Sequence, residues 1–382
     1  MTLTGNIIRL CTCATFFRRF CCKNSLKNVY YTRKFVLKCL IFINIQFGSE
    51  QIMAEFYLDF EKPIAELRNK LRELSEISTA HPGDAMANCV KMLEAQLDET
   101  IRNTYANLSS WQRVQLARHP ERPYALDYIS RIFTDFMEFH GDRSFADDKA
   151  IVGGFARFNG KPVMVVGTQK GKDMRENLYR NFGWPSAEGY RKAMRLMNMA
   201  DRAGVPIITF IDTPGAFPGV ASEERHIGEA IAVNLREMFG LSVPVICVVI
   251  GEGGSGGALG ISVGNKILLL ENAYYSVITP EGCAAILWKN RSFAPRAAEA
   301  LKLTAADLTR LGVADEVIEE PMGGAHVDYD KAAGFLKASL EKNLAELQKM
   351  SAAKLREQRY EKFRKIGQVA EAIEEEAASA EA

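Results

Sequence analysis

Short apolar runs alternate with longer mixed stretches through the middle of the chain. Ile207–Ile211 and Val245–Ile250 are continuous apolar runs rich in β-branched residues, which is typical of strands covered on both faces. Ser186–Ala203 and Ser222–Phe239, which precede them, are predicted as helices. Strands and helices in alternation predict an α/β fold with largely parallel strand pairing.

The alternation extends in both directions along the chain. Ile151–Phe158 and Val163–Gly167 flank an Asn-Gly pair, which is a good signal for a β-hairpin. The aromatic-rich stretch Leu126–Phe139 is predicted as a single helix. Further along, the pattern predicts the strands Lys266–Leu270 and Tyr274–Ile278 and the helix Pro280–Trp288.

Both flanks of this region are predicted to be helical. In residues 54–110, apolar residues recur three or four positions apart around a predicted turn at His81–Asp84, and Pro63 stands where it can open a helix. From about Asp328 the chain is helical and charged, and it ends in the acidic tail EEEAASAEA. We therefore divide the chain into an extension 1–52, an N-terminal helical region 53–124, one catalytic domain 125–325, and C-terminal helices with a charged tail 326–382.

Composition and charge narrow the class of protein. With 47% hydrophobic and 25% charged residues among 382, the chain has an ordinary globular composition. Residues 1–52 carry eight of the 48 Lys and Arg residues but one of the 47 Asp and Glu residues, so the rest of the chain has 40 basic and 46 acidic side chains. This mildly acidic body argues against nucleic acid as the main partner. Beyond residue 52 stand Cys89, Cys247 and Cys283, without a Cys-x-x-Cys pair, so we expect neither a zinc site nor disulfides, and a cytoplasmic location.

The basic segment 1–52 has two interpretations. Its apolar run Leu37–Phe47 is shorter than the ~20 residues that span a membrane, and no small-residue cleavage site follows it, so we expect no membrane association. It could be an organellar presequence, or upstream sequence joined to a protein that starts at Met53. We favour a start at Met53.

The strongest chemical signal lies in Pro244–Gly264. Five glycines fall between Gly251 and Gly257, directly after an apolar run, and small apolar residues then continue as a predicted helix. A strand, a glycine turn and a helix start bring backbone N–H groups to one point, which suits an anion or an oxyanion.

Two sequence motifs resemble those of nucleotide-binding sites, one in the glycine stretch and one in the loop that begins at Asp212. Gly251–Gly256 matches G-x-G-x-x-G, with Glu271 in the acidic position of a dinucleotide site. That motif belongs to the first βαβ unit of a sheet, whereas here two apolar strands precede it. Asp212–Gly215 resembles the D-x-x-G of GTPases, but the sequence has no G-x-x-x-x-G-K-[ST] upstream, which excludes a P-loop site.

Three other interpretations of the glycines remain. Gly253–Gly257 matches the G-x-S-x-G nucleophile elbow around Ser255, for which Asp315 and His326 would be the later partners. Alternatively, the glycines serve only close packing of helix on strand. The third interpretation is an oxyanion hole built from backbone, where two N–H groups point at one oxygen because no Cβ blocks the approach. Such a donor contributes about 3–4 kcal/mol of transition-state stabilisation in acyl chemistry.

Two loops are candidates for binding. The loop Asp212–Gly219 follows a predicted strand, and the carboxyl ends of neighbouring parallel strands meet at one edge of a sheet, so this loop is predicted to wall the same cleft as the glycines. Alternatively, it is an ordinary turn with Pro214 and Pro218. Lys170–Trp184 is polar and basic, with Lys170, Lys172, Arg175, Arg180 and Asn181. It either binds an anionic substrate or is an ordinary solvated loop.

Read together, these motifs are similar to the alpha subunits of bacterial acetyl-CoA carboxylase carboxyltransferases. The resemblance spans Glu55 to about Asp328. It rests on LDFEKPIAEL, QLARHPERPY, ADDKAIVGG, YRNFGWP, EGYRKAMRLM, FIDTPGAFPGV, EERHIGEAIA, IGEGGSGGALG, SVITPEGCAAILW and GGAH. Residues 1–52 have no counterpart in the family, and Phe217 stands where the family often has tyrosine.

The resemblance implies a fold, a reaction and partners. The fold is α/β and crotonase-like, with superhelical ββα repeats, an N-terminal helical arm and C-terminal helices. The reaction transfers a carboxyl group from carboxybiotin, held on a biotin carboxyl carrier protein, to acetyl-CoA, which gives malonyl-CoA in fatty acid biosynthesis. The implied partners are a beta subunit in an α2β2 assembly, which carries the zinc, and a biotin carboxylase that uses ATP. This chain itself is expected to bind no cofactor and to be inactive alone.

The implied site lies at the glycine turn. We predict that the backbone N–H groups of Gly256 and Gly257 hold the ureido oxygen of biotin, and that a bulky residue at either position lowers kcat and leaves folding intact. Ser255 is then a small turn residue. The other candidate residues of the carboxybiotin cleft are Asp212, Gly215, Ala216, Phe217, Gly219, Glu252 and Ser255.

Rival functions share this fold. Another acyl-CoA carboxyltransferase is one. A thioester hydratase is a second, but it needs paired carboxylates near the hole, and Glu252 alone is adjacent in sequence. A non-catalytic structural subunit is the third, with its basic loops at Arg118–Tyr124 and Lys170–Arg180 binding RNA or a CoA phosphate.

Overall fold

The computed structural model describes residues 56–80 and 84–367. From Tyr57 onward the contacts of these residues group them into one compact unit. The predictions for residues 1–52, for most of the His81–Asp84 turn and for the acidic tail lie outside the described residues. The division at residues 125 and 325 stays a prediction.

A mixed sheet forms the centre of the unit. Its order is β1-β2-β3-β4-β5-β6-β8, with β7 paired to β5 off this path. The pairs β1–β2 and β2–β3 are antiparallel, and every other pair is parallel, which confirms the predicted pairing. The strands are β1 Thr134–Glu138, β2 Ile151–Phe158, β3 Lys161–Thr168, β4 Ile207–Thr213, β5 Val245–Gly254, β6 Lys266–Leu270, β7 Tyr274–Ser276 and β8 Glu316–Ile318.

Strand β5 changes partner along its length. Its first half, Ile246–Val249, pairs with β6, and its last residues, Glu252–Gly254, pair with β7. On its other side, β5 pairs with β4 through an irregularity between Ile211 and Thr213, since Ile211 faces Val249 but Thr213 faces Gly253. The glycines at the end of β5 are thus strand residues, and not a free turn as the sequence suggested.

Helices cover the sheet. Every residue of β4 and β5 is buried, as predicted from their apolar runs. The helices are α1 Lys62–Ala80, α2 Asp84–Ala106, α3 Ser110–Ala117, α4 Ala125–Ile132, α5 Met174–Tyr179, α6 Ala187–Arg202, α7 Val220–Glu224, α8 Ile227–Gly240, α9 Ser255–Leu259, α10 Pro280–Trp288, α11 Ala294–Leu301, α12 Ala305–Arg310, α13 Tyr329–Leu347 and α14 Ala352–Lys365.

Two groups of helices pack on the central strands. Helix α6 lies against β2, β3 and α8, and it buries Tyr190, Leu196 and Met197. Helix α4 lies against β1, β3 and β4 and is itself covered by α13. Burial of this apolar surface is the main favourable contribution to folding, at roughly 25 cal/mol per Å².

The predicted helix Leu126–Phe139 is wrong in its second half. Helix α4 ends at Ile132, and β1 follows and pairs with β2 through Met137 opposite Phe155. Asp135, with a φ of 54°, lies in the left-handed region, which helices do not use. Of the aromatic residues in this stretch, Tyr128 therefore lies on the helix and Phe136 on the strand. Tyr274–Ile278 is likewise shorter than predicted, because β7 ends at Ser276.

Candidate active site

The ends of β4 and β5 bring the predicted site residues together. Asp212 lies near the end of strand β4, and the loop 214–219 follows that strand. Gly251–Gly254 end β5, and Ser255 begins α9, a helix of five residues. Parallel pairing places both ends at the same edge of the sheet, which is where open α/β sheets bind ligands.

Two of the glycines have no room for a side chain, and a third has room for one. A Cβ at Gly254 would collide with the Pro214 carbonyl, and one at Gly257 would collide with the backbone of Gly215 and Ala216. A Cβ at Gly256 would meet nothing within 4 Å. The two loops therefore touch through bare backbone at Gly254 and Gly257, whereas Gly256 faces open space. Our expectation that a bulky residue at Gly257 leaves folding intact is wrong, because the collision is with backbone.

The start of α9 offers backbone donors. The first turn of a helix has no intrahelical acceptors for its N–H groups, and those of Gly256 and Gly257 belong to that turn. A side chain of α6 also fixes this helix, since the Tyr190 hydroxyl donates to the Gly257 carbonyl at 3.0 Å. Ser255 is exposed and has a φ of 56°, a strained conformation for a residue with a side chain.

Beneath this backbone lies a chain of ion pairs that the sequence did not reveal. The Lys170 ammonium group donates to Asp212 Oδ1 and to Glu252 Oε2, each at 2.7 Å. Asp212 Oδ1 also accepts the N–H of Glu252 at 2.9 Å. Both carboxylates of the candidate cleft are thus buried and ion-paired.

Arg118 extends the ion pairs toward the N-terminal helices. Its guanidinium donates to Glu252 at 2.6 Å and to Glu281 at 2.5 Å. The Tyr274 hydroxyl donates to Glu252 at 2.7 Å. Burial alone would raise the pKa of Glu252, but Lys170 and Arg118 outweigh it and lower this pKa to about 2. The Lys170 pKa is raised, because Asp212 and Glu252 outweigh the cost of burying its charge.

The lowered pKa of Glu252 predicts that the protein loses stability at acidic pH. Its pKa falls from an ordinary 4.5 to about 2 on folding, so its stabilisation is complete above pH 4.5 and is lost as the pH falls toward 2. As the pH falls from 4.5 toward 2, the unfolding free energy of the wild type decreases. We expect this decrease to be about 3 kcal/mol smaller in Glu252→Gln. Urea unfolding at a series of acidic pH values measures this. Glu357→Gln, at an exposed position of α14, is the control and should follow the wild type. Parallel curves for wild type and Glu252→Gln would contradict the prediction.

Basic residues of the loop after β3 contact other parts of the same chain. Besides Lys170, Lys172 pairs with Asp127 at 2.7 Å, and Arg180 donates to the Lys149 carbonyl at 3.0 Å. The loop contains α5 and a 3-10 turn, Asn181–Gly183, whose residues all have positive φ. These contacts favour a structural role for the loop over the anion site considered from the sequence.

The same segment packs on the loop 214–219. The Trp184 ring lies so close that a Cβ at Gly215 would be 3.1 Å from it. The Phe217 N–H donates to the Pro185 carbonyl at 2.9 Å. Phe217 is half-buried, and its ring occupies the space that a Cβ at Gly219 would need. Gly215 and Ala216 therefore lie against Gly257, and Phe217 contacts Gly219 further along the same loop.

The nucleophile elbow lacks its partners. Asp315 accepts the N–H of Ile267 at 2.6 Å and pairs with Lys362. His326 stacks on His119, with 3.9 Å between ring centroids, and burial and the neighbouring His119 and Arg122 lower its pKa to about 3. Both side chains thus contact residues other than Ser255, and the interpretation of Ser255 as a turn residue stays a prediction.

The described residues contain no cluster of metal ligands and no helix suited to a membrane. In residues 56–80 and 84–367, no group of three or more His, Cys, Asp or Glu side chains could hold a metal ion. None of the helices in the described ranges has both the length and the apolarity to cross a bilayer.

The mixed, largely parallel sheet and this glycine-lined edge define an α/β protein, as predicted. The family model for acetyl co-enzyme A carboxylase carboxyltransferase-like proteins matches residues 57–367. The acetyl-coenzyme A carboxylase carboxyl transferase subunit alpha of Syntrophotalea carbinolica is 56% identical over 318 residues, which cover 83% of this chain and 100% of the relative. That of Anoxybacillus flavithermus is 57% identical over 316 residues, covering 83% and 97%. The chain belongs to the family of carboxyltransferase alpha subunits of acetyl-CoA carboxylase.

A solved structure is also similar. Transcarboxylase 12S, with methylmalonyl-coenzyme A bound, matches with a TM-score of 0.47 and 21% identity. The match covers 60% of this chain and 44% of that one.

Proposed function

We propose that this chain is the alpha half of a carboxyltransferase that moves a carboxyl group from carboxybiotin to acetyl-CoA and so forms malonyl-CoA. The observation that carries the proposal is the family match over residues 57–367, together with relatives covered along their whole length. The hydratase and the non-catalytic subunit are not favoured by this match.

The chemistry needs two oxyanions to be stabilised. When the N–CO2 bond of carboxybiotin breaks, its electron pair moves onto the ureido ring and charge develops on the ureido oxygen. The ureido nitrogen of biotin, which keeps that electron pair, accepts a methyl proton from acetyl-CoA. Charge then develops on the thioester oxygen, and the resulting enolate carbon bonds to the released CO2. We assign the ureido oxygen to the N–H groups of Gly256 and Gly257. Fixed backbone donors suit this role because they need no reorganisation as charge develops.

The candidate cleft residues have different parts in this proposal. Gly215, Ala216, Phe217 and Gly219 would form the wall against which the biotin ring lies, and Ser255 shapes the turn. Asp212 and Glu252 are ion-paired and buried, so neither is assigned as the base that removes the methyl proton. Gly256 supports the assignment most directly, because it opens to free space at the start of α9.

The partners and location follow from the family. We propose a beta subunit that completes the thioester side of the cleft in an α2β2 assembly, a biotin carboxyl carrier protein as the donor, and a biotin carboxylase that uses ATP to load it. Zinc is expected in the beta subunit. The cytoplasm is the expected location.

Malonyl-CoA formation tests the proposal. The purified chain is assayed with acetyl-CoA and carboxylated carrier protein, with and without a beta subunit. We expect turnover only when both subunits are present, because the thioester side of the cleft belongs to the partner. Turnover by this chain alone, or none with the partner present, would overturn the proposal.

A further inference from the structure

Lys170 stands at the meeting point of three strands. It follows the end of β3, and it reaches the end of β4 at Asp212 and the end of β5 at Glu252. A second contact joins the same strands, because the Asp212 N–H donates to Thr168 Oγ1 at 2.6 Å. The three strand ends are thus connected through one ammonium group and one hydroxyl.

The Lys170 side chain is largely buried, and its charge is paired with two carboxylates. Its side chain is 12% exposed, against 1% for Asp212 and 8% for Glu252. Its stem is covered by Gly183, where a Cβ would lie 2.6 Å from Lys170 Cγ. The ammonium group therefore points into the protein and contacts carboxylates from two neighbouring strands.

These contacts bear on the backbone of the candidate site. Asp212 Oδ1 accepts both from Lys170 and from the N–H of Glu252, and a Cβ at Gly251 would lie 2.6 Å from the same oxygen. The first residues of the segment Gly251–Gly257 thus contact Asp212 Oδ1, the same oxygen that accepts from Lys170. Moving Asp212 or Glu252 would move the first residues of the segment that ends in Gly256 and Gly257.

We propose that Lys170 is a positioning residue, whose ammonium group clamps the ends of β4 and β5 and so sets the place of the Gly256 and Gly257 donors. Its effect on turnover rests on the proposed function. Loss of the ammonium group removes the Lys170 cation from between the Asp212 carboxylate and the Glu252 carboxylate, which keeps its pair with Arg118. Repulsion between the two carboxylates then separates the two strand ends. Misplacement of catalytic groups by about 1 Å lowers rates about 100-fold.

A matched control exists at the other edge of the sheet. Lys362 pairs with Asp315, and Asp315 accepts the N–H of Ile267 at the beginning of β6. The Lys362 side chain is 11% exposed, close to the 12% of Lys170. Both lysines thus have largely covered side chains that pair with a carboxylate at a strand end. Lys362 pairs with the more exposed Asp315 and lies away from the candidate site.

The test compares Lys170→Met with Lys362→Met in the complex with the beta subunit. For Lys170→Met we expect kcat about 100-fold lower, with KM for acetyl-CoA changed less than about threefold, since the donors act on the transition state. For Lys362→Met we expect a drop in Tm no larger than that of Lys170→Met, with kcat within about twofold of wild type. Lys170→Arg keeps the charge and should recover kcat to within about tenfold. Equal kcat for Lys170→Met and Lys362→Met would overturn the inference.

A second readout works on the alpha chain alone. Hydrogen exchange of the Gly251–Gly257 amides should be at least about tenfold faster in Lys170→Met and unchanged in Lys362→Met. If Lys170→Met does not fold, Lys170→Met/Glu252→Gln relieves the repulsion and should show the same fast exchange. Unchanged exchange there contradicts the clamp. If the wild-type complex is inactive, the proposed function fails, and exchange still decides the role of Lys170.

Discussion

We expect Gly257→Ala to lower kcat at least about 100-fold and to destabilise the fold by about 1–3 kcal/mol. The added Cβ would overlap the backbone nitrogen of Ala216 and the carbonyl carbon of Gly215. Since backbone on both sides must move apart, the donor at position 257 and the cleft wall are displaced together. Thermal unfolding and steady-state kinetics of the complex with the beta subunit measure the two effects.

Substitutions at Gly256 separate packing from catalysis. A Cβ there meets nothing within 4 Å, so Gly256→Ala should keep the Tm of the wild type and most of its activity. Gly256→Val should also fold. If the ureido oxygen binds at the Gly256 N–H, the larger side chain stands next to it, and kcat/KM for the carboxybiotin donor should fall at least about tenfold. The control is Gly334→Ala, at an exposed position of α13 that is also open. Wild-type kinetics for Gly256→Val would refute the assignment of this donor.

Predictions from the sequence succeeded where local pattern decides structure. Ile207–Ile211 and Val245–Ile250 are strands, because β-branched apolar residues fit a sheet covered on both faces. Strand β5 nevertheless continues to Gly254. Glycine has little preference for strands, so this extension depends on pairing with Thr213 and with β7.

The error at Leu126–Phe139 has the same origin. Its aromatic residues suit a helix or a strand, and the choice is made by β2, which supplies a partner for Met137. Local pattern contains no information about that partner. Pairing with a distant strand therefore overrode a plausible local prediction.

The candidate site was predictable in part. The glycines and the loop Asp212–Gly219 carry motifs that can be recognised along the chain. The ion pairs cannot be recognised in this way, because Lys170 is 42 residues from Asp212 and 82 from Glu252, and Arg118 is 134 from Glu252. Lysines and arginines in polar loops usually meet solvent, and the fold alone brings these two to buried carboxylates.

A second ion pair lies deeper below the same strand. Arg122 is fully buried, and its guanidinium donates to Glu320 at 2.5 and 3.0 Å and to the Ile250 carbonyl at 2.7 Å. Glu320 also accepts from the backbone N–H groups of Asn272 and Ala325, at 3.0 and 2.9 Å. Burial opposes both charges, but their attraction raises the pKa of Arg122 and lowers that of Glu320.

We expect Arg122→Met to destabilise the fold by about 3–5 kcal/mol, because it leaves the Glu320 carboxylate buried without its cation. This corresponds to a fall in Tm on the order of 10 °C. Arg122→Lys should recover only part of the loss, since lysine cannot make the two parallel bonds of a guanidinium. Arg310→Met, which breaks the exposed pair with Asp307, should cost less than about 1 kcal/mol and is the control.

The double variant Arg122→Met/Glu320→Gln identifies the cause of that loss. The glutamine amide keeps an oxygen that can accept from Asn272 and Ala325, but the substitution removes the buried charge. If the cost of Arg122→Met is mainly the unpaired carboxylate, the double variant should be more stable than Arg122→Met by about 1–3 kcal/mol, although it carries one more substitution. If the costs add instead, the contribution of Arg122 lies in its bond to the Ile250 carbonyl, one residue before the glycines, and the ion pair is secondary. Thermal unfolding of the four proteins in the cycle decides between these outcomes.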